Sequence, residues 1–436
     1  MLHDVRLRLA GMMFLLYFSL GSWAVTLASY LLTPAEAGGL GFSPAQVSWT
    51  YTTFAIAGMV APVAIGPLAD RWFRAERVVV VGAFASALLL ALAAGWCDHR
   101  AGVIAAATGD DRADAVGLTF AGLFALLLVY CFFLQLALTL SNVIVHRHHP
   151  SGGAGYSHMR MFGTVGWVVT GNLLALTLDP LSAQPLWLAA GSAAAFGLFA
   201  LTLPATPPLS RDTKLLPALR LLKSRPFVVF LVAAFLASLT NQFYAVYIHR
   251  VLIDLGVPRP ESLITLGQVV EVGCMFAIPW LHPVRHLKPL MLLGLGGFLL
   301  RAIVMRSGDA TAIVLVAVPM HGWSFAFFYV VAQTYLKRAA TPDIAAGTQA
   351  LVSFVSGGFG VGVGNLLAGQ LIAANRVGGV TDWPAVWVVP LATCAAAFAL
   401  FLLFFHPPAV PADEPDPTPD AEADAETGVP AVNPSR

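Results

Sequence analysis

VGLTFAGLFALLLVYCFFLQLALTLSNVIV, residues 116–145, runs for 30 residues without one Asp, Glu, Lys or Arg. As a helix it would extend about 45 Å, more than the roughly 30 Å of a bilayer's hydrocarbon core. It lacks the alternation of apolar and polar residues that a barrel strand needs, so it reads as a membrane-crossing helix. Working outward, comparable runs fall near residues 9–33, 47–69, 78–97, 161–178 and 184–203. Six more lie near 226–248, 262–281, 289–305, 310–336, 346–373 and 384–406. The fold class expected is an all-α polytopic membrane protein with twelve transmembrane helices. Composition agrees, because 58% of the 436 residues are apolar and only 11% are charged, against roughly 25% charged in soluble domains. That balance excludes an ordinary water-soluble enzyme, a disordered chain and a nucleic-acid binder.

The first run follows Arg6 and Arg8, and Ala35-Glu36-Ala37 mimics a signal cleavage site. A signal peptide's apolar region is only about 7–15 residues long, so the run is read as a retained first span. Lys and Arg stay on the cytoplasmic side of a membrane. With the first residues inside, sixteen such bases fall on inner segments and six on outer ones, which places both termini in the cytoplasm. The longest inner connection, 204–225, contains Pro204, Pro207, Pro208 and five of those bases. It divides the chain into a six-helix half at 1–203 and another at 226–406. Two such halves around a midplane site are the plan of many secondary transporters. Residues 407–436 hold seven acids among prolines and are expected to form a disordered acidic tail. The four cysteines are scattered with no CxxC pair, and no GxxxxGK[ST] loop occurs, so no metal site, cofactor or ATP-driven pump is indicated.

An ionised side chain at the bilayer centre costs about 2.5–3.5 kcal/mol on insertion scales, so each one needs a reason. Of the sixteen acids before the tail, Glu271 alone falls inside an expected span, about ten residues into the eighth helix, with Gln268 on the same face. It reads as a substrate acceptor or proton carrier; the structural alternative is an ion pair with Arg301 on the ninth helix. In the fifth helix Arg160, Thr164 and Trp167 are spaced i, i+4, i+7 and could bind a polar solute bearing a ring, unless Arg160 only snorkels to the surface and Trp167 packs. Asn241 and Tyr244 share a face of the seventh helix, and His321 and Phe325 share one of the tenth. A lone His in an apolar helix is more often a packing residue than a ligand. Its place opposite Glu271 raises the functional reading. The stretch His146, Arg147, His148, His149 with His158 lacks acids and reads as a loop facing water and head groups. Gly357, Gly358, Gly360, Gly362 and Gly364 permit close helix approach in the eleventh helix.

After the second span comes Gly66-Pro67-Leu68-Ala69-Asp70-Arg71, with Arg74 beyond. This GxxxDR loop resembles the signature of the major facilitator superfamily, in which such an acid and bases latch the cytoplasmic helix ends. Further stretches resemble the nucleoside:proton symporters of that superfamily. They are Gly21-Ser22-Trp23 with Thr26 and Tyr30, Arg160 through Gly163-Thr164-Val165-Gly166, Thr240-Asn241 with Phe243, Gln268 with Glu271, His321-Gly322 with Phe327-Phe328, Gln349, and Thr381-Asp382-Trp383. The similarity covers about residues 6–405.

The resemblance implies a major facilitator fold, no enzymatic activity, and residence in the bacterial cytoplasmic (inner) membrane as a monomer. It places substrate binding on Arg160, Thr164, Trp167, Asn241, Gln268, Glu271, His321 and Phe325, and a structural gating role on Gly66, Asp70, Arg71 and Arg74. Glu271, Gln268 and Asn241 could hold ribose hydroxyls, while Trp167 and Phe325 offer faces to a base. The family usually has an Asp shortly after the His-Gly pair, where this chain has Ala326; Glu271 is then left to carry the proton. Ser238 likewise replaces a family amide. The reading is a nucleoside permease, proton-coupled through Glu271. The alternatives are a nucleoside uniporter, a permease for sugars or other small polar solutes, and, from a different class, a membrane enzyme or sensor.

Overall fold

The computed structural model describes residues 2–64, 73–149, 152–207, 215–281, 286–341 and 344–407. Gly66, Asp70 and Arg71 and the acidic tail lie outside the described residues. Helical rods follow one another almost without interruption. They are α1 (Val5–Leu32), α2 (Pro44–Ala64), α3 (Ala75–Ala106), α4 (Gly109–His148), α5 (Gly152–Thr177) and α6 (Gln184–Ala200). After a short helical turn come α7 (Arg225–Asp254) and α8, made of Pro260–Ile264 and Leu266–Ala277. The chain ends with α9 (Leu287–Ser307), α10 (Ala310–Ala339), α11 (Gly347–Ala374) and α12 (Trp383–Phe404). Among the described residues, eight helices are long and apolar enough to cross a membrane: α1, α3, α4, α7 and α9 to α12. Helices satisfy their own backbone in hydrocarbon, which is why an apolar chain of this kind adopts almost nothing else. The one departure among the described residues is a small antiparallel ribbon, β1 (Arg376–Val377) with β2 (Val380–Thr381), turned through Gly378 and Gly379 at positive φ.

Several rods are longer than their sequence runs. The run at 78–97 belongs to a helix of 32 residues and that at 116–145 to one of 40, so both continue into polar sequence beyond the hydrocarbon. Before 203, α1 packs on α5 and α6, α3 on α4 and α6, and α2 on α4; after 225, α9 packs on α10 and α12, α7 on α11 and α12, and α8 on α10. These two sets meet along three seams, α1 with α7, α2 with α11 and α5 with α8. The end of the bundle that holds residues 33–43 and the ribbon, here the far end, is tied across the seams by side chains. Ser29 Oγ and His249 Nδ1 lie 2.7 Å apart, Ser48 Oγ and the Tyr247 hydroxyl 2.8 Å, and Arg250 Nη1 donates to Thr33 Oγ1 at 3.2 Å.

At the other end, Arg74 Nε sits 2.6 Å from Glu76 Oε1, without the alignment of a hydrogen bond. Glu76 Oε2 accepts from the Thr206 amide at 2.8 Å. His148 Nε2 lies 2.9 Å from Thr206 Oγ1, and Arg147 donates to the Pro207 carbonyl. The basic stretch closing α4 therefore fastens the start of the polar connection after 203.

The small residues of α11 serve packing. A Cβ at Gly364 would lie 2.9 Å from Leu239 Cα and closer still to the Leu239 carbonyl oxygen. Without a side chain there, the α11 backbone rests directly on α7. Gly364→Val should force the helices apart and destabilise the fold by about 1–3 kcal/mol, as overpacking does. The check is the melting temperature in detergent, expected to fall by several degrees; an unchanged value would contradict the contact.

Candidate functional site

The polar residues singled out from the sequence converge at one depth. Glu271 on α8 is 6% exposed, and its carboxylate makes no hydrogen bond or ion pair among the described residues. Its oxygens are not among the fully enclosed, unpartnered atoms, so they face accessible space rather than sealed packing. Gln268, one turn earlier, is buried, and its Oε1 has no partner among the described residues. Gly322 fixes how α10 meets this face, because a Cβ there would collide with the Glu271 backbone, 2.9 Å from its Cα, and with the Gly267 carbonyl. Only glycine lets α10 lie against α8 at the acid itself, which brings His321 beside Gly267.

Arg301 on α9 is 0% exposed. It makes no ion pair with Glu271, the structural alternative drawn from the sequence. Its Nη2 donates to Asn241 Oδ1 at 3.1 Å and its Nη1 to His321 Nδ1 at 3.2 Å. The guanidinium also lies over the Tyr244 ring at 4.5 Å and the Phe298 ring at 4.9 Å. Tyr244 in turn stacks on His321, with centroids 5.0 Å apart and planes 19° from parallel. Since guanidinium only donates, His321 Nδ1 must accept. The ring is then neutral with its proton on Nε2, and Asn241 turns its amide nitrogen away from Arg301. The C-terminal set thus offers two acceptors, Glu271 and Gln268 Oε1, and two donors, Asn241 Nδ2 and His321 Nε2–H.

The fifth helix supplies the opposing wall. α5 and α8 touch at Gly171, where a Cβ would stand 2.8 Å from Thr265 Cγ2 and 3.3 Å from the Glu261 carbonyl oxygen. From that contact Thr164 lies seven residues along α5 and Glu271 six along α8, about 10 Å and 9 Å at 1.5 Å per residue. Thr164 and Glu271 therefore share a level, and so do Trp167 and Gln268. Trp167 lies on α1, its ring 3.1 Å from where a Gly21 Cβ would stand. Arg160 is one turn nearer the chain termini, its guanidinium 4.0 Å over the Tyr17 ring and near enough for its charge to act on Glu271. Phe325 begins a π-helical stretch of α10, with its ring 5.5 Å from Tyr329. The Tyr329 hydroxyl lies 2.7 Å from Ser238 Oγ, so Ser238 is occupied with packing.

Four residues escaped the sequence reading. Tyr17 carries no polar signal beyond a phenol. Ser29, His249 and Glu261 form a buried cluster at the far end, and the signal was there: the seventh run was ended at 248 and the eighth begun at 262. His249 and Glu261 each stand one residue outside those limits, yet are buried. Two cavities lie away from the convergent residues. One of about 320 Å³ sits at the far rim between Glu36, Arg112 and Arg376. There the Glu36 carboxyl is held below its usual range by its own backbone amide and by Arg112. The other, about 620 Å³, is an apolar groove between α9, α10 and α12.

A family model described as Nucleoside H+ symporter matches residues 3–105 and 112–409. YegT of Escherichia coli (strain K12) is 30% identical over 423 residues, covering 92% of this chain and 93% of YegT. The xanthosine permease of the same organism is 28% identical over 429 residues, covering 92% and 95%. Among solved structures, that of the nucleoside transporter NupG is 22% identical and superposes with a TM-score of 0.76, over 92% of this chain and 99% of that one. That likeness carries the fold.

The tautomer of His321 is open to measurement. Nitrogen-15 spectra of histidine-labelled protein in lipid at pH 7.5, with His321→Asn to identify the signal, should show a neutral ring protonated on Nε2. A ring carrying its proton on Nδ1 would contradict the Arg301 hydrogen bond.

Proposed function

The chain belongs to the nucleoside H+ symporter family, and from that premise we propose that it carries nucleosides through a site between two six-helix halves by alternating access. It is an integral membrane transporter and not an enzyme. The proposed organisation is twelve spans, six in residues 1–203 and six in 226–406, joined by a cytoplasmic connection at 204–225. Both termini are cytoplasmic, in the bacterial inner membrane, and the unit is a monomer. The division of helix packing into two sets that meet along three seams supports this plan. On this orientation the far end is extracellular. Its cross-seam hydrogen bonds hold it closed in the state described.

The observation that carries the reading is the Glu271 carboxylate, buried at the seam and without a partner among the described residues. A buried anion left unpaired is costly unless cargo or a proton completes it. Ribose hydroxyls donating to Glu271 and accepting from Asn241 would do so, with Gln268 taking a further donor. The base would lie against Trp167 of one half and Phe325 of the other, gaining stacking area that a sugar alone lacks. Thr164 and Arg160 line the approach on α5, and His321 donates from Nε2. Arg301 never reaches the ligand in this arrangement; it holds Asn241 and His321 in place. Gly66, Asp70, Arg71 and Arg74 are proposed to latch the cytoplasmic helix ends, in which Arg74 acts through Glu76.

Glu271 is also the proposed proton carrier, because Ala326, wholly buried, stands where the family usually has an acid. That same alanine favours the second reading, uniport. Uptake of labelled uridine and adenosine into proteoliposomes, with and without an inward proton gradient, separates the two. Symport gives accumulation above the outside concentration, whereas uniport gives only equilibration. Glu271→Gln should lower uptake at least about tenfold, equivalent to roughly 1.4 kcal/mol or more, in protein that still folds. Unchanged uptake would remove Glu271 from the site. Competition by free ribose at the same concentration should be weak; full competition would shift the cargo to sugars.

A further inference from the structure

The far-end seam encloses an ionisable cluster that the cycle above does not use. His249 on α7 is 0% exposed and Glu261, in the first turn of α8, is 4% exposed. His249 Nε2 lies 2.5 Å from Glu261 Oε1, and Nδ1 lies 2.7 Å from Ser29 Oγ on α1. One imidazole therefore joins an acid of its own half to a hydroxyl of the other.

The neighbouring charged groups gather around one acid, Asp254, and not around the His249–Glu261 pair. On α7, Arg250 Nε is 2.8 Å from Asp254 Oδ1 and Arg250 Nη1 donates to Thr33 Oγ1 of α1. Trp383 Nε1 of α12 donates to Asp254 Oδ2 at 3.0 Å, and Arg376 of β1 lies close enough to feel Arg250 and Asp254. Arg259, beside the start of α8, is exposed. α5 turns Gly171 toward the Glu261 carbonyl. α2 presents only hydroxyls, Ser48 bonded to Tyr247 and Tyr51 donating to the Ala24 carbonyl at 2.8 Å, and Tyr30 of α1 is a buried phenol.

Among the described residues no other charged side chain bonds to His249 or Glu261, so the charge of each is met by direct contact only within the pair. With one proton between them the two groups are neutral overall, either as imidazolium and carboxylate or as two neutral groups. Without that proton, closing the seam would bury a net negative charge whose one bonded partner among the described residues is a neutral ring, an arrangement that burial disfavours. We infer that His249 and Glu261 form a proton-binding site in the far-end gate, which closes only when the pair holds one proton taken from the water that the open gate admits. The proton enters from that water and returns to it; no other group is consumed. The inference rests on the alternating-access reading. It is distinct from any role of Glu271, which lies ten residues farther along α8, about 15 Å.

A proton that stabilises the closed gate makes closure favourable at low pH and opening favourable as pH rises. Nitroxides at Ala37→Cys and Val377→Cys, both exposed at the far rim, would report the gate as a distance distribution in lipid nanodiscs without any nucleoside. The native cysteines at 97, 131, 274 and 394 are buried. Between pH 5 and pH 9 the closed-to-open ratio should fall at least about tenfold. Glu261→Gln, whose amide needs no proton to be neutral, should stay closed throughout. His249→Gln closes only when Glu261 itself is protonated, so its transition should move to lower pH. A wild-type distribution that ignores pH, a wild-type response retained in Glu261→Gln, or an unmoved transition in His249→Gln would each overturn the proposal. A pH-driven gate in protein that carries no nucleoside would instead overturn the transport reading and leave this site standing.

Discussion

Taking a carboxylate out of water and giving it no partner is the constraint on which this bundle turns. Glu271 has such a place: among the described residues its carboxylate has no bonded partner, and Arg160 acts on it only through its charge. Arg301, the cation one would expect beside it, is instead held by Asn241, His321 and the faces of Tyr244 and Phe298. A guanidinium whose two Nη groups are held by neutral partners keeps its charge in the protein without cancelling the acid. The proposed site, with an anionic acceptor, oriented donors and aromatic walls, would complement a hydroxylated ring carrying a planar base.

Backbone proximity makes that arrangement possible. Gly322 lets α10 touch α8 at Glu271 itself, and Gly364 lets α11 lie on α7. Helices in lipid associate through packing rather than through exclusion of water, so small residues at crossings decide which polar side chains meet. The π-helical stretches in α10 and α11 fall in the same helices and re-aim side chains such as Phe325 by a fraction of a turn.

Much of this could be read from residues alone. Unbroken apolar runs marked the helices because hydrocarbon allows the backbone little else, and Glu271, Gln268, Asn241 and His321 stood out because polarity there is expensive. Their meeting at one depth could not be read, since periodicity gives the face of one helix but not which faces oppose one another. Arg301 shows the limit: charge complementarity suggested Glu271 as its partner, and packing chose His321 and Asn241. His249 and Glu261 were hidden for a different reason. Run boundaries were drawn at polar residues, so two groups buried inside continuing helices were assigned to loops. The GxxxDR loop was legible as a motif, and of its members only Arg74 falls among the described residues.

The seams link the site to the far end. Ser29, Thr33 and Ser48 bond across them to His249, Arg250 and Tyr247, so in the proposed alternating-access cycle closing that end and forming the site would be parts of one movement. The most direct measurement is a structure determined with uridine bound. Density for the nucleoside between α5, α8 and α10, with ribose hydroxyls on the Glu271 carboxylate and the base against Trp167, is the expected result. A nucleoside bound elsewhere, or a Glu271 carboxylate turned toward lipid while uridine is bound, would contradict the assignment.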